Sequence, residues 1–130
     1  RDRARGDRVI QAAIPFGTIS AESIRVAGIV PKVGKGVIVR RMDLFLATEL
    51  KADPQNYWAI ELGTYGGGTS FVVRGTLADP YKGLPAGRKQ KVFDKPVSYG
   101  VGEVVACRAR PFGSPSSLTG CDVVLGIEEA

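Results

Sequence analysis

Histidine is missing altogether from this chain of 130 residues, and cysteine occurs only twice. The first absence removes the commonest general base at neutral pH, and with it every Ser-His-Asp or Cys-His arrangement. The second leaves Cys107 and Cys121 alone. Two cysteines are too few for a disulfide framework or for the four-ligand set of a zinc site. No metal and no cofactor are therefore expected. No apolar run approaches the ~18 residues of a membrane span, and no apolar stretch of signal-peptide type follows the basic start. A carboxylate pair drawn from Asp43, Glu49, Asp53, Glu61 and Asp79 is the one remaining route to hydrolysis. Nothing in the spacing brings two of them together. The expectation is a protein that is not an enzyme.

What the chain has in quantity is punctuation. Seventeen glycines and eight prolines are spread along it, which predicts many short segments joined by turns. Segments rich in Val, Ile, Phe, Tyr and Trp read as strands near 9–14, 23–30, 36–48, 57–63, 70–77, 89–93, 97–99, 103–110 and 122–128. Several alternate with a period of two, which turns every second side chain to one face. Met42, Leu44 and Leu46 alternate with Arg41, Asp43 and Phe45. Trp58, Ile60 and Leu62 alternate with Tyr57, Ala59 and Glu61. Val105, Cys107 and Ala109 face one way, as do Cys121, Val123, Leu125 and Ile127. A helical stripe over 41–52 competes with this reading, but Val37-Ile38-Val39 before it favours extended structure. The predicted fold is all-β: an antiparallel β-sandwich of jelly-roll or Greek-key type, formed by 9–130 as one domain.

The formal charge is +5, which suits an acidic partner without demanding nucleic acid. Residues 1–8 form a charged arm, and its Arg1, Arg3, Arg5 and Arg8 are candidate contacts. Within it, Arg5-Gly6-Asp7 spells an integrin-binding tripeptide, a match too short to carry weight. Lys82, Arg88, Lys89, Lys91 and Lys95 surround a Gly-Pro-rich stretch and would form either a positive patch or a lysine-guarded sheet edge. Gly63-Thr64-Tyr65-Gly66-Gly67-Gly68-Thr69-Ser70 superficially suggests a phosphate cradle. It lacks the lysine of G-x-x-x-x-G-K-[ST], and a strand follows it, so it reads as a hairpin loop exposing Tyr65. If 103–110 and 122–128 make a hairpin, Cys107 and Cys121 lie nearly opposite on the inward face as free buried thiols or as a disulfide. Ala52-Asp53-Pro54 and Ala78-Asp79-Pro80 echo each other as turn starters.

Two stretches carry a family resemblance. One is Val39-Arg40-Arg41-Met42-Asp43-Leu44-Phe45-Leu46-Ala47-Thr48 followed by Asp53-Pro54-Gln55-Asn56-Tyr57-Trp58-Ala59-Ile60-Glu61-Leu62-Gly63. The other is Gly102-Glu103-Val104-Val105-Ala106-Cys107-Arg108 with Gly113-Ser114-Pro115-Ser116-Ser117-Leu118-Thr119-Gly120 and Val123-Val124-Leu125-Gly126-Ile127. Their texture resembles the β-sandwich virion proteins of tailed bacteriophages: capsid decoration (cement) proteins, head fibres and fibre tips. The resemblance implies an accessory structural protein of the virion, often trimeric, that docks on a major capsid protein or a fibre. The expected interface is Arg1, Arg3, Arg5, Arg8, Tyr65, Lys82, Arg88, Lys89 and Lys91. One alternative is a carbohydrate-binding sandwich using Tyr57, Tyr65 or Tyr81. The other is a nucleic-acid-binding barrel, whose affinity would fall steeply with salt.

Overall fold

Alternating apolar and polar residues can satisfy both water and core only if two sheets stack with their apolar faces inward. The computed structural model, which describes residues 9–31, 34–66 and 70–130, shows this arrangement. Its eight strands are β1 (Val9–Ile19), β2 (Ser23–Ile29), β3 (Val37–Leu46), β4 (Tyr57–Gly66), β5 (Ser70–Leu77), β6 (Gly87–Tyr99), β7 (Val104–Phe112) and β8 (Leu118–Glu129). Sheet I has the order β1-β8-β3-β6 and sheet II the order β2-β7-β4-β5. All neighbours are antiparallel. Only β4 and β5 are consecutive within one sheet; every other connection crosses from one layer to the other. Two interlocked Greek keys of this kind make a jelly roll. The arm 1–8, with Arg1, Arg3, Arg5 and Arg8, lies outside the described residues.

The predicted inward sets form the core. Met42, Leu44, Trp58, Ile60, Leu62, Cys107, Val123 and Leu125 are all at most 1% exposed. Each large apolar side chain among them contributes about 1.5–3 kcal/mol by leaving water. Trp58 is therefore core, as its alternation with Tyr57 and Ala59 predicts.

Three expectations need correction. The segments 89–93 and 97–99 are one strand, β6. Its pairing with β3 steps from Val39↔Val97 to Arg41↔Val92, so Asp94, Lys95 and Pro96 are absorbed in a bulge. β6 is an edge strand, where the missing N–H of a proline breaks no ladder. The 63–70 segment is mostly strand: β4 continues to Gly66, paired with Ser70. Finally, β7 and β8 do not form a hairpin. β7 pairs with β2 and β4, and β8 with β1 and β3, so their short connection arches between layers. Cys107 and Cys121 still face inward, from opposite sheets, as free buried thiols. Loss of hydration pushes both up to about 12, with a neighbouring ionisable group (Cys121 for Cys107, Asp122 for Cys121) adding a smaller effect.

Candidate functional site

Antiparallel pairing places the connections 47–56, 78–86 and 113–117 at one end of the sandwich, where they surround a cleft of about 560 Å³. The three loops are stitched together by backbone and side-chain hydrogen bonds. Leu50 and Leu84 exchange both N–H···O bonds at 2.8 Å, and the Asp53 N–H donates to the Pro80 carbonyl at 2.9 Å. The Ser114 N–H donates to Asn56 Oδ1 at 2.7 Å, and the Trp58 indole N–H to the Ser116 carbonyl at 2.8 Å. Two glycines make this closeness possible. Gly83 has φ +77° and a side chain there would strike the Leu50 carbonyl; Gly113 has φ +72° and would strike Gln55. Only glycine adopts such angles without strain.

The two Asp-Pro echoes face each other across this end. Asp53 Oδ1 accepts the N–H groups of Gln55 and Asn56, and its Oδ2 accepts the Asn56 amide. The Gln55 bond, then the Asn56 amide, hold its carboxyl below the usual carboxylate range. Asp79 Oδ1 accepts the Lys82 N–H, and Oδ2 meets Lys89 Nζ at 3.2 Å. What reads as turn grammar in the sequence also supplies two fixed carboxylates to one cleft.

The other chemistry lies on the outer faces of the sheets. On sheet II, cross-strand pairing aligns Arg108 with Glu61, and Arg108 Nε donates to Glu61 Oε1 at 2.6 Å. Arg110 reaches the other oxygen at 3.9 Å. Arg108 also covers the Phe71 ring at 4.7 Å and Arg110 the Phe112 ring at 4.8 Å. Phe71 meets Tyr65 edge-on at 6.1 Å, and Phe112 stacks on Tyr57 at 4.8 Å. An unbroken band thus runs from Tyr65 through Phe71, Arg108, Glu61, Arg110 and Phe112 to Tyr57. Beside it stand Val26, Ile29 and Val73, all exposed.

No protein-family model matches the chain, and no curated protein matches it. Among solved structures it is similar to a chain in the structure of infectious bursal disease virus, Gx strain, at 10% identity and a TM-score of 0.37. That likeness covers 96% of this chain and 37% of the other, so the chain spans little more than a third of its neighbour's length.

Of the interface residues expected from sequence, those among the described residues are dispersed. Tyr65 sits at the end opposite the cleft. Lys82 is exposed in the 78–86 connection. The consecutive run on β6 is divided by strand alternation. Arg88 pairs with Phe45 on the outer face of sheet I, while Lys89 and Lys91 pair with Leu44 and Met42 and so share the inward side at the sheet edge. Asp53, Asn56, Asp79, Glu61 and Arg108 were not among the expected contacts. The signal for Glu61 was present: it is the charged residue opposite Ile60 and Leu62 in a strand flanked on both sides.

Proposed function

We propose that this protein is a non-enzymatic structural module of a virion, binding and stabilising a capsid or fibre assembly in the manner of a decoration protein. The observation that supports the bracing role is the outer face of sheet II. Tyrosine, phenylalanine and arginine are the residue types enriched at protein interfaces and their energetic centres. Here they are held in one band by mutual stacking and ion pairing, next to exposed Val26 and Ile29. The virion assignment rests on the sequence resemblance and on an architecture that capsid subunits share with lectins and cupins.

In this reading the partners are other virion proteins, a major capsid protein first, and the chain itself assembles as a homo-oligomer, a trimer by expectation. Contacts repeated on a lattice add up, so each one needs only modest strength. The arm 1–8, with Arg1, Arg3, Arg5 and Arg8, would supply charged contacts to a neighbouring subunit. Light scattering and co-sedimentation with assembled phage particles test this. An oligomer that pellets with particles, and a Val26→Lys/Ile29→Lys variant that does not, are the expected results. A monomer that pellets with no particle would overturn the proposal.

A further inference from the structure

We propose that the cleft between the 47–56, 78–86 and 113–117 connections is a binding site for an uncharged saccharide. Its volume of about 560 Å³ lies within the range of small-ligand sites. It is also built in advance. The paired Leu50–Leu84 bonds, the Asp53–Pro80 bond and the Asn56–Ser114 bond fix the three loops before any ligand arrives, so binding spends little on ordering them.

The hydrogen-bonding groups left over match the chemistry of vicinal hydroxyls. A carboxylate offers about four acceptor positions. Asp53 uses three on its own loop, and Asp79 uses one on Lys82 and one on Lys89. Both keep acceptor capacity, and both line the cleft. The Asn56 amide donates one N–H to Asp53 and retains a second. The hydroxyls of Ser116 and Ser117, also in the lining, donate or accept as needed. A sugar hydroxyl can both donate and accept, and the lining offers groups of both kinds. Tyr57, held in place by Phe112, contributes an aromatic surface of the kind on which the C–H face of a sugar ring packs.

Charge selects against other ligands. Glu49, Asp53 and Asp79 line the cleft with Lys51, and Lys89 pairs with Asp79, which leaves the site acidic by one charge on a protein whose overall charge is +5. This balance disfavours phosphates, sulfated glycans and sialylated glycans relative to neutral sugars. No three His, Cys, Asp or Glu side chains converge to hold a metal among the described residues. Of the three tyrosines considered for sugar binding, Tyr57 belongs to this site and Tyr81 follows Pro80 on its rim, whereas Tyr65 lies at the other end.

Trp58, the only tryptophan, lines the cleft and bonds the Ser116 carbonyl, so its emission reports on occupancy. The purified protein is titrated to 50 mM with neutral oligosaccharides of glucose, galactose, mannose and N-acetylglucosamine, with saturation-transfer NMR in parallel. A saturable response to one of them is expected, with a Kd on the order of 1 mM. Asp79→Asn, isosteric and still able to accept the Lys82 N–H, should weaken it about tenfold. Tyr57→Phe should bind as the parent does, and Tyr57→Ala should not bind. No response to any probe in either method would overturn the proposal, as would affinity unchanged in both Asp79→Asn and Tyr57→Ala. Asp79 is not part of the sheet II band, although the band's last ring, Tyr57, is shared with the cleft; co-sedimentation with particles should therefore be unaffected by Asp79→Asn, which separates this site from the proposed bracing role.

Discussion

Each outer face of the sandwich carries a carboxylate between two arginines, and the two groups are built differently. On sheet II, Glu61 has a side chain 7% exposed, and Arg108, at 14%, bonds it at 2.6 Å. On sheet I, Asp43 is equally covered at 8%, but Arg41 and Arg88 stand at 3.6 and 3.4 Å and are 35% and 53% exposed. The difference lies in what covers the arginines. Phe71 lies over Gly63, where a Cβ would meet its ring at 2.8 Å, and Arg108 lies over Phe71 in turn. Sheet II therefore carries a thin packed layer on its outside, which desolvates the ion pair and tightens it. Sheet I has Gly126 and Val124 opposite Arg41 and Asp43 and, among the described residues, no aromatic ring over its arginines, so water screens Arg88, while Arg41 Nε is covered but makes no hydrogen bond. Equal burial of the acid does not mean equal strength of the pair; burial of the base decides it.

The sharpest way to break this contrast is to delete each acid. Glu61→Ala leaves Arg108 covered and unpaired, and it should lower unfolding stability by about 3 kcal/mol in urea denaturation. Phe71→Ala removes the lid itself. It should cost about 2 kcal/mol through lost apolar burial and the lost arginine–ring contact, and it should bring the Arg108–Glu61 pair closer in salt sensitivity to the pair on sheet I. Asp43→Ala should cost about 1.5 kcal/mol: Arg88 remains hydrated, whereas Arg41 Nε, covered and without a hydrogen-bond partner, loses its nearest carboxylate. Arg88→Ala should stay within about 0.5 kcal/mol of the parent. Equal losses for Glu61→Ala and Asp43→Ala would show that the aromatic cover is irrelevant.

A third pair sharpens the comparison by pH. On the rim, Arg74 donates to both oxygens of Glu103 and to the Ser98 carbonyl. The Arg74 bonds, then the Gly100 N–H, hold the Glu103 carboxyl below its ordinary 4.5. Its stabilising contribution is thus complete above pH 4.5 and is lost as the pH falls through the lowered value. Acid titration of the parent and Glu103→Gln should give curves that converge at low pH, with the parent more stable above. In the alkaline direction, the buried Cys107 and Cys121 thiols favour the protonated state. Their contribution is present below pH 9 and declines between pH 9 and about 12 as the unfolded chain, but not the fold, loses the protons. Neither thiol should react with iodoacetamide at pH 8 without denaturant.

Much of the layer structure was legible before any coordinates. Period-two alternation in β3, β4, β7 and β8 names the inward residues because side-chain direction in a strand is set by the backbone next door. The state of the thiols was not legible: two inward cysteines leave a disulfide open, and the structure shows them free. The partners of each strand were not legible. Cys107 and Cys121 invite a hairpin by their spacing, yet they belong to different sheets, since closeness along the chain does not decide pairing in a Greek key. The basic run on β6 suggests a single patch, and alternation divides it between a face and an edge.

The candidate sites show the same division. Asp53-Pro54 and Asp79-Pro80 announce turns through local chemistry alone, and the sequence by itself determines that each aspartate will anchor its own loop. That the two loops meet, with Ser114–Ser117 closing the third side, was decided only by the stacking of the layers. Alternation and turn formation are encoded within a few residues. Which strands and loops become neighbours depends on burying one shared core, a property of the whole chain.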